Sequence, residues 1–503
     1  MAEKGSTTKG VRTRFAPSPT GPFQMGNART ALFNYLFTKA NKGVFVLRIE
    51  DTDRERSRPE WEEDALENLR WLGLQWDEGP DREGPYGPYR QSERAAGYRK
   101  RLEELLAKDK AYRCYCAKEE LEAMRQDQQS RGEAPRYTGK CRQLTKEEVE
   151  RKETEGRTSI IRFLTPSRTL VFDDLIRGKI SMDTGLLGDF VLAKDLESPL
   201  YNFSVVVDDF DMAITHVIRG EDHLPNTPKQ ILLQEALGLP PVAYAHLPLL
   251  LAEDRTKLSK RHGDNSLTRF RKEGYLPEAV INFLALLGWN PGDERDIFRL
   301  SDLLKEFSLK RVQKAGAVLN LKRLDWLNGQ YIRMKSTGEL AELCAPYLEQ
   351  ANLLEEISKG RYRVVATGKQ IGEKELSSVV ALYQERLKRL GEITNLADFF
   401  FQEKLSYEAT LLSWKETPPA KTQQALERVG ELLGGIEEKD WNKEEIAKIL
   451  LPAAEEEKDR GFLLWPLRVA LTGREASAGP FEVAEALGRT KTFQRIEEAK
   501  AKL

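Results

Sequence analysis

Two β-α-β patterns, widely separated along the chain, restrict the folds open to these 503 residues more than any other feature. The first begins with a short strand over Val11 to Ala16. Leu32, Phe33, Leu36 and Phe37 then recur at helical spacing, Gly43 stops the helix, and "VFVLRI" reads as a buried strand. The second consists of "AITHVIRG", the helix "TPKQILLQEALG" and the strand "AYAHLPLLL". A strand that returns parallel to its predecessor needs a crossover, usually helical, so the pair predicts one open α/β sheet. Apolar residues make up 40% of the chain, ample for a core, and the length exceeds what a single core supports.

The stretch between the two units has another texture. Ala111 to Pro199 carries a charged helix pair, a cysteine cluster and short strands such as "SIIRFL" and "TLVFDD". It reads as a domain inserted into the parallel sheet. After Leu251 strand signals fade. From about Tyr331 the chain reads as charged amphipathic helix, broken at Pro346, Pro418, Pro419, Gly434 and Gly435.

Open α/β sheets bind ligands beyond the carboxyl ends of their strands. Charged clusters stand at those ends here. Arg14 and Ser18 follow the first strand, and "EDTD" (Glu50 to Asp53) the second. "RGEDH" (Arg219 to His223) follows the third, and "DRTKLSKRHG" (Asp254 to Gly263) the fourth. Four clusters of mixed sign at one edge predict an active site.

The loop "FAPSPTGPFQMGNARTA" (Phe15 to Ala31) enters a helix N-terminus, where backbone N–H groups and the helix dipole favour an anion. Gly21 and Gly26 permit close approach, and Lys257 and Lys260 bring positive charge to the same edge. The arrangement suits a triphosphate, yet it is not a Walker A loop, whose Gly, Lys and Ser/Thr spacing is absent. Glu50 offers an anchor for an ammonium group. Arg14 and Arg219 offer bidentate partners for carboxylates. One anionic and two cationic anchors fit a dicarboxylic amino acid.

These segments, together with "FVLRIEDTDRERS", "GPYRQSER", "YNFSVVVDD", "HVIRGEDHL", "KLSKRHGD" and "WPLRVALTGREASAGPFE", resemble the bacterial glutamyl-tRNA synthetases from about Arg12 to the C-terminus. Gln24-Met25-Gly26-Asn27 stands where that family has its HIGH motif, and "KLSKR" (Lys257 to Arg261) where it has KMSKS. The resemblance implies a class I Rossmann catalytic domain with an inserted acceptor-binding domain, followed by a mainly α-helical anticodon-binding half. It places a disordered tail at 1–10 and the catalytic halves at 11–110 and 201–250. The insertion falls at 111–200, a stem-contact region at 251–330 and the anticodon domain at 331–503. It implies ATP- and Mg²⁺-dependent activation of L-glutamate and its transfer to tRNA(Glu). Matched position by position, Arg14, Ala16, Ser18, Glu50, Tyr201 and Arg219 would bind glutamate. Gln24, Gly26, Asp222, His223, Leu224 and Lys260 would surround ATP, with Lys257, Lys260 and Gln24 as the catalytic set. Arg386, in "LYQERLKRLGEI", would read the third anticodon base.

Two departures from the family stand out. Neither histidine of HIGH is present, and Gln24 is the unusual replacement. Cys114, Cys116 and Cys141, three of only four cysteines, suit a tetrahedral zinc site. Relatives with zinc here often complete it with a histidine two residues after the last cysteine, where this chain has Gln143. Tyr137 is the substitute that the related glutamyl-queuosine enzymes suggest. Cys344 reads as a core residue.

The helical C-terminal half argues against a glutamyl-queuosine enzyme, which lacks it, and against a glutaminyl enzyme, which carries a β-barrel there. A tRNA-binding paralogue without activity is favoured only by Gln24. Lys+Arg 79 against Asp+Glu 80 gives no overall attraction to a polyanion, although Asp254 to Gly274 is locally basic. The longest uncharged run, Ala236 to Ala252, contains Pro240, Pro241 and Pro248 and is too short to span a membrane. Few cysteines and no targeting segment predict a cytoplasmic protein, and a monomer is expected.

Overall fold

A computed structural model describes residues 10–258, 264–457 and 459–503. Lys260, and all but the last residue of the expected tail at 1–10, lie outside the described residues. The chain divides into two compact units, Met1–Phe270 with Pro277–Leu321, and Arg271–Leu276 with Lys322–Leu503.

The first unit is built on strands β1 (Arg12–Phe15), β2 (Val44–Leu47), β5 (Thr169–Asp174), β6 (Gly178–Asp183), β8 (His216–Gly220) and β9 (Ala243–Leu247). They form one sheet in the order β2-β1-β8-β9-β5-β6. All neighbours are parallel except β5 and β6. Helix Met25–Ala40 crosses from β1 to β2 and buries Met25, Ala28, Leu32 and Leu36. Those residues fall three or four apart, so one face meets the sheet. Helix Thr227–Leu237 crosses from β8 to β9 and ends at Gly238, whose φ of 66° is a left-handed cap open to glycine at little cost.

A smaller antiparallel sheet joins β3 (Ala111–Cys114), β4 (Ile160–Phe163) and β7 (Val191–Ala193) in the order β3-β4-β7. Its charged helices are Lys118–Ser130 and Lys146–Thr154. Thr145 and Glu148 close a capping box on the second of these. Ile161 and Phe163 share one core with Leu102, Phe203 and Leu233. Two short strands, β10 (Leu250–Leu251) and β11 (Ala317–Val318), pair in parallel in the same unit.

Three sequence expectations are corrected. "TLVFDD", expected within the insertion, is β5 of the main sheet, where Asp174 pairs in register with Tyr244. The second unit contains β12 (Leu354–Ser358), β13 (Arg361–Val364) and β14 (Gln370–Gly372) where only helix was expected. Their outer face is charged and exposed, so no run of apolar alternation announces them. Pro346 does not break its helix, which runs Thr337–Gln350. Pro346 is exposed, so the backbone carbonyl it leaves without a helical donor can bond water. The breaks at Pro418–Pro419 and Gly434–Gly435 do bound a helix, Pro419–Gly434. Helices Lys443–Glu456, Gly461–Thr472, Pro480–Leu487 and Arg489–Lys500 complete the second unit around Leu426, Leu433, Leu463, Leu467 and Ile496. Cys344 is buried in the same unit, and burial pushes its thiol up to about 12.

Candidate active site

The carboxyl ends of β1, β2 and β8 and the N-terminus of helix Met25–Ala40 enclose a cavity of 530 Å³. Arg14, Ala16, Ser18, Gln24, Gly26, Glu50, Tyr201, Arg219, Asp222, His223 and Lys257 all contribute to its wall. Each of the four charged clusters read from the sequence thus supplies part of one cavity. Leu224, on the 3-10 turn Glu221–Asn226, is not part of the wall.

Arg14 is buried, and its Nε donates to Asp209 at 3.0 Å. Arg48, wholly buried, donates to the same carboxylate at 2.7 Å and to Glu50 Oε1 at 3.0 Å. Burial raises the Glu50 pKa, and Arg48 and Arg14 pull it back only in part. Arg48 therefore holds one oxygen of Glu50, which is less free than the sequence suggested. The second oxygen carries no hydrogen bond among the described residues. For Asp209, burial is outweighed by Arg14 and Arg48, and its pKa falls below the ordinary carboxylate value.

Arg219 ends β8 with three hydrogen bonds. Its Nε donates to His246 Nε2 at 3.2 Å, Nη2 to Thr227 Oγ1 at 2.8 Å and Nη1 to Tyr201 Oη at 3.4 Å. Tyr201 Oη lies 3.0 Å from His223 Nδ1. The Tyr201 hydroxyl, which accepts from Arg219, keeps its own proton to donate to that ring. Burial, then Arg219, lowers His223 to about 4.

The phosphate-binding reading concerns Gln24 and the helix behind it. Gln24 has extended backbone (φ −106°, ψ 161°), and its side chain makes no capping hydrogen bond. The Met25 N–H is taken by the Asn265 carbonyl at 3.1 Å, which leaves Gly26 as the first amide of the helix facing the cavity. A Cβ at Gly26 would meet nothing closer than Leu250 at 4.0 Å, so the protein itself does not demand glycine there. Lys257 Nζ lies 4.0 Å from Asp222.

Of the residues of this region that were missed, two left a signal in the sequence. Arg29, on the apolar face of its helix, is buried in the cavity wall and donates to the carbonyls of Pro248 and Leu287. Burial lowers its pKa to about 10. A charged residue at a buried phase of "GNARTALF" was the available signal. His246, lodged in the apolar strand "AYAHL", is fully buried behind Arg219. A polar ring in such a strand must find partners, and that requirement was its signal.

Away from the cavity, the Sγ atoms of Cys114, Cys116 and Cys141 lie within 4.8 Å of one another. Cys116 and Cys141 are 3.6 Å apart. Tyr137 Oη is 3.4 Å from Cys114 Sγ and 3.5 Å from Cys116 Sγ. A zinc tetrahedron with bonds of about 2.3 Å has edges of roughly 3.8 Å, so this donor set fits the ion. Arg162 stacks on the Tyr137 ring at 3.9 Å and holds it there. Gln143 is exposed, outside this group.

Arg386 is exposed in a turn after helix Glu373–Ala381, not on a helix. One of its nitrogens donates to the Ser477 carbonyl at 2.7 Å. Among the described residues, no helix is long and apolar enough to cross a membrane.

A family model for the catalytic domain of class I tRNA synthetases (E and Q) matches residues 10–326, and one for an anticodon binding domain matches 333–500. The chain belongs to the class I tRNA synthetases (E and Q). Among curated members, Glutamate–tRNA ligase 2 of Caldanaerobacter subterraneus subsp. tengcongensis is 43% identical, covering 97% of this chain and 98% of its own. Glutamate–tRNA ligase of Carboxydothermus hydrogenoformans is 44% identical, covering 97% and 99%. A crystal structure of a glutamate tRNA ligase from Elizabethkingia meningosepticum, in complex with its amino acid, superposes with a TM-score of 0.85. It is 36% identical and covers 98% of this chain and 99% of that one. In this class I synthetase the mixed sheet is accordingly a Rossmann-like core, and the C-terminal part is helical.

Proposed function

We propose that the chain is a glutamate–tRNA ligase, joining L-glutamate to tRNA(Glu) through a glutamyl-adenylate and releasing AMP and diphosphate. One observation carries the reading: a single cavity sets two arginines and a buried carboxylate beside a helix N-terminus. Glutamate has two carboxylates and one ammonium group, and each finds a partner of opposite charge.

In this reading Arg219, held on three sides, takes the side-chain carboxylate, which does not react and must be recognised rigidly. Arg14, next to the loop that leads to Gln24, takes the α-carboxylate. Glu50, through the oxygen not held by Arg48, takes the ammonium, with Ala16, Ser18 and Tyr201 shaping the pocket. Gln24, Gly26, Asp222, His223 and Lys260 surround ATP, with Leu224 set behind the wall on the same 3-10 turn as Asp222 and His223. The α-carboxylate attacks the α-phosphate, and diphosphate leaves. Gln24, Lys257, Lys260 and the Gly26 amide then stabilise the charge that develops on the phosphoryl oxygens. Positioning, with no covalent nucleophile from the protein, supplies the rest. The terminal ribose hydroxyl of tRNA next attacks the mixed anhydride.

Mg²⁺, used with ATP across the family, neutralises phosphate charge when bound. A structural Zn²⁺ would be held by Cys114, Cys116, Cys141 and Tyr137. We assign the part of 111–200 outside β5 and β6 to acceptor binding, 251–330 to stem contact and 331–503 to the anticodon. The enzyme acts as a monomer in the cytoplasm.

The test is ATP–diphosphate exchange with tRNA present, comparing L-glutamate, L-glutamine and L-aspartate, followed by charging of tRNA(Glu). Exchange with glutamate alone is expected. Exchange with none of the three, or with glutamine in preference, overturns the reading.

A further inference from the structure

We propose that His246, its tautomer fixed by Asp174, is a positioning residue for Arg219, and that this buried relay sets affinity for the substrate carboxylate. The inference rests on the reading of Arg219 as the carboxylate anchor.

The argument begins with the sheet. β8 and β9 pair in parallel with Arg219 opposite His246. Both side chains are buried, as is Asp174 at the end of β5. Asp174 accepts from the backbone N–H groups of Ile176 at 2.9 Å, Arg177 at 2.8 Å and His246 at 3.1 Å. These donors, with the hydrogen bond from the His246 ring, outweigh burial and keep the carboxylate charged. An ionised carboxylate only accepts, so His246 Nδ1, 2.6 Å away, must carry the proton. His246 Nε2 is then a lone pair, directed at Arg219 Nε–H and at Thr227 Oγ1, 3.0 Å away. The opposite tautomer would set one N–H against another.

This arrangement determines what Arg219 can do. A guanidinium has five N–H donors in a fixed plane. The relay and Thr227 hold two edges of that plane, and Tyr244 lies beside both the guanidinium and the His246 ring, 5.6 Å and 6.1 Å away. The guanidinium is therefore oriented before substrate arrives, and binding need not freeze a free side chain. Neither His246 nor Asp174 belongs to the cavity wall, so neither touches substrate. Their effect should fall on recognition of glutamate and leave the chemistry of phosphoryl transfer nearly unchanged.

The experiment measures kcat and the KM values for glutamate and ATP in ATP–diphosphate exchange with tRNA. It compares wild type, Asp174→Asn, His246→Phe, His246→Gln, the Asp174→Asn/His246→Phe double variant and Arg219→Lys, with thermal melting beside each. Asn is isosteric with Asp, and with its oxygen kept on the Ile176 and Arg177 N–H groups it presents N–H to the ring, which reverses the tautomer. We expect Asp174→Asn and His246→Phe each to raise KM for glutamate on the order of ten- to a hundredfold, as loss of outer-shell support does elsewhere. KM for ATP and kcat should stay close to wild type, because neither residue borders the cavity. The double variant should be no worse than His246→Phe, and His246→Gln, which retains a donor and an acceptor, should recover part of the loss.

The relay is overturned by an unchanged glutamate KM in Asp174→Asn, or by additive effects in the double variant. It is overturned equally if all three parameters change together in proportion to lost thermal stability. If His246→Phe does not fold, Asp174→Asn and His246→Gln carry the test. Arg219→Lys separates the two levels. Unchanged glutamate KM in that variant removes Arg219 from carboxylate binding. Raised KM there, with wild-type behaviour of Asp174→Asn, removes only the relay.

Discussion

Gln24 stands at the N-cap of Met25–Ala40 without capping it, since its side chain makes no hydrogen bond to the helix. It lines the cavity with an amide that can donate but cannot become cationic. Gln24→Ala removes no protein contact of this kind, so stability should stay within about 0.5 kcal/mol. Adenylation should nevertheless fall by about 10²–10³ in kcat, as for loss of one transition-state donor. Gln24→His retains a neutral donor and should keep adenylation within about tenfold of wild type, well above the Ala variant. A single exchange assay on the three proteins checks both statements, and an unimpaired Ala variant refutes the role. His223 bears on pH. Its folded pKa near 4 lies below the ordinary 6.5, so between those values the unfolded chain binds more protons. The stability contributed by the neutral ring is complete above about 6.5 and is lost as pH falls toward 4. Melting temperature should therefore drop across that window, and His223→Asn should flatten the limb. His216 and His246, also lowered by burial, leave a residual slope of the same sign. A variant with the full wild-type slope would exclude His223 as a source. Arg14, Glu50 and Arg219 were legible because each lies near or just past the carboxyl end of a strand, at the edge where open α/β sheets bind their ligands. Arg29 and His246 showed only as polar residues at buried phases, and their roles were not legible because their partners lie far away in sequence.

The turn from β3 to Cys116, with the 3-10 helix Lys140–Gln143, gathers three thiols around one phenol. Burial pushes Cys116 up to about 12 and raises Tyr137 further. Such groups ionise readily only beside a cation, which is the work of a bound metal. Purified protein should contain about one zinc per chain, the stoichiometry of one four-coordinate site. Tyr137→Phe should let a chromogenic chelator withdraw the ion about 10–100-fold more easily, the scale seen when support of a metal site is lost. Chelation should also lower the melting temperature of wild type more than that of a Cys116→Ala variant. Metal content well below one per chain, with no response to chelator, would show a reduced thiol cluster. Elements differed in legibility for a physical reason. Strands β2, β8 and β9 are buried along nearly their whole length and write mostly apolar runs. β12 to β14 bury one face at most, and "LEEIS" and "RYRV" look like solvated helix or loop. "TLVFDD" was legible as a strand but not as part of the main sheet, because pairing between Asp174 and Tyr244 spans a separation that local pattern cannot report.

At the scale of the whole chain, a formal charge of −1 means that affinity for a polyanion must come from local donors. The change in texture near Tyr331 was visible in the sequence because loss of the strand pattern is a property of many residues at once. The return of Arg271–Leu276 to the second unit was not, because six residues carry no such average. Gly274 makes that return possible. Its φ is 93°, and a Cβ there would lie 2.6 Å from the backbone nitrogens of Leu390 and Gly391. This fastening lies close in sequence to Arg386, the proposed reader of the third anticodon base. Arg386 spends one Nη on Ser477 and, being exposed, can turn its remaining donors to a base edge. Directed donation of this kind typically contributes about 1–3 kcal/mol of discrimination. Arg386→Gln should therefore lower the ratio of kcat/KM for tRNA(Glu) over tRNA(Gln) by roughly 5- to 150-fold, the same energy expressed as a ratio. Arg386→Lys keeps the charge but loses the planar fork, so it should lose most of the discrimination as well. The KM values for glutamate and ATP should not move, because the cavity wall comes from residues 14–258 alone. Charging both tRNAs with the three proteins decides the matter. Full discrimination in the Lys variant would reduce Arg386 to a phosphate contact, and full discrimination in the Gln variant would remove it from recognition.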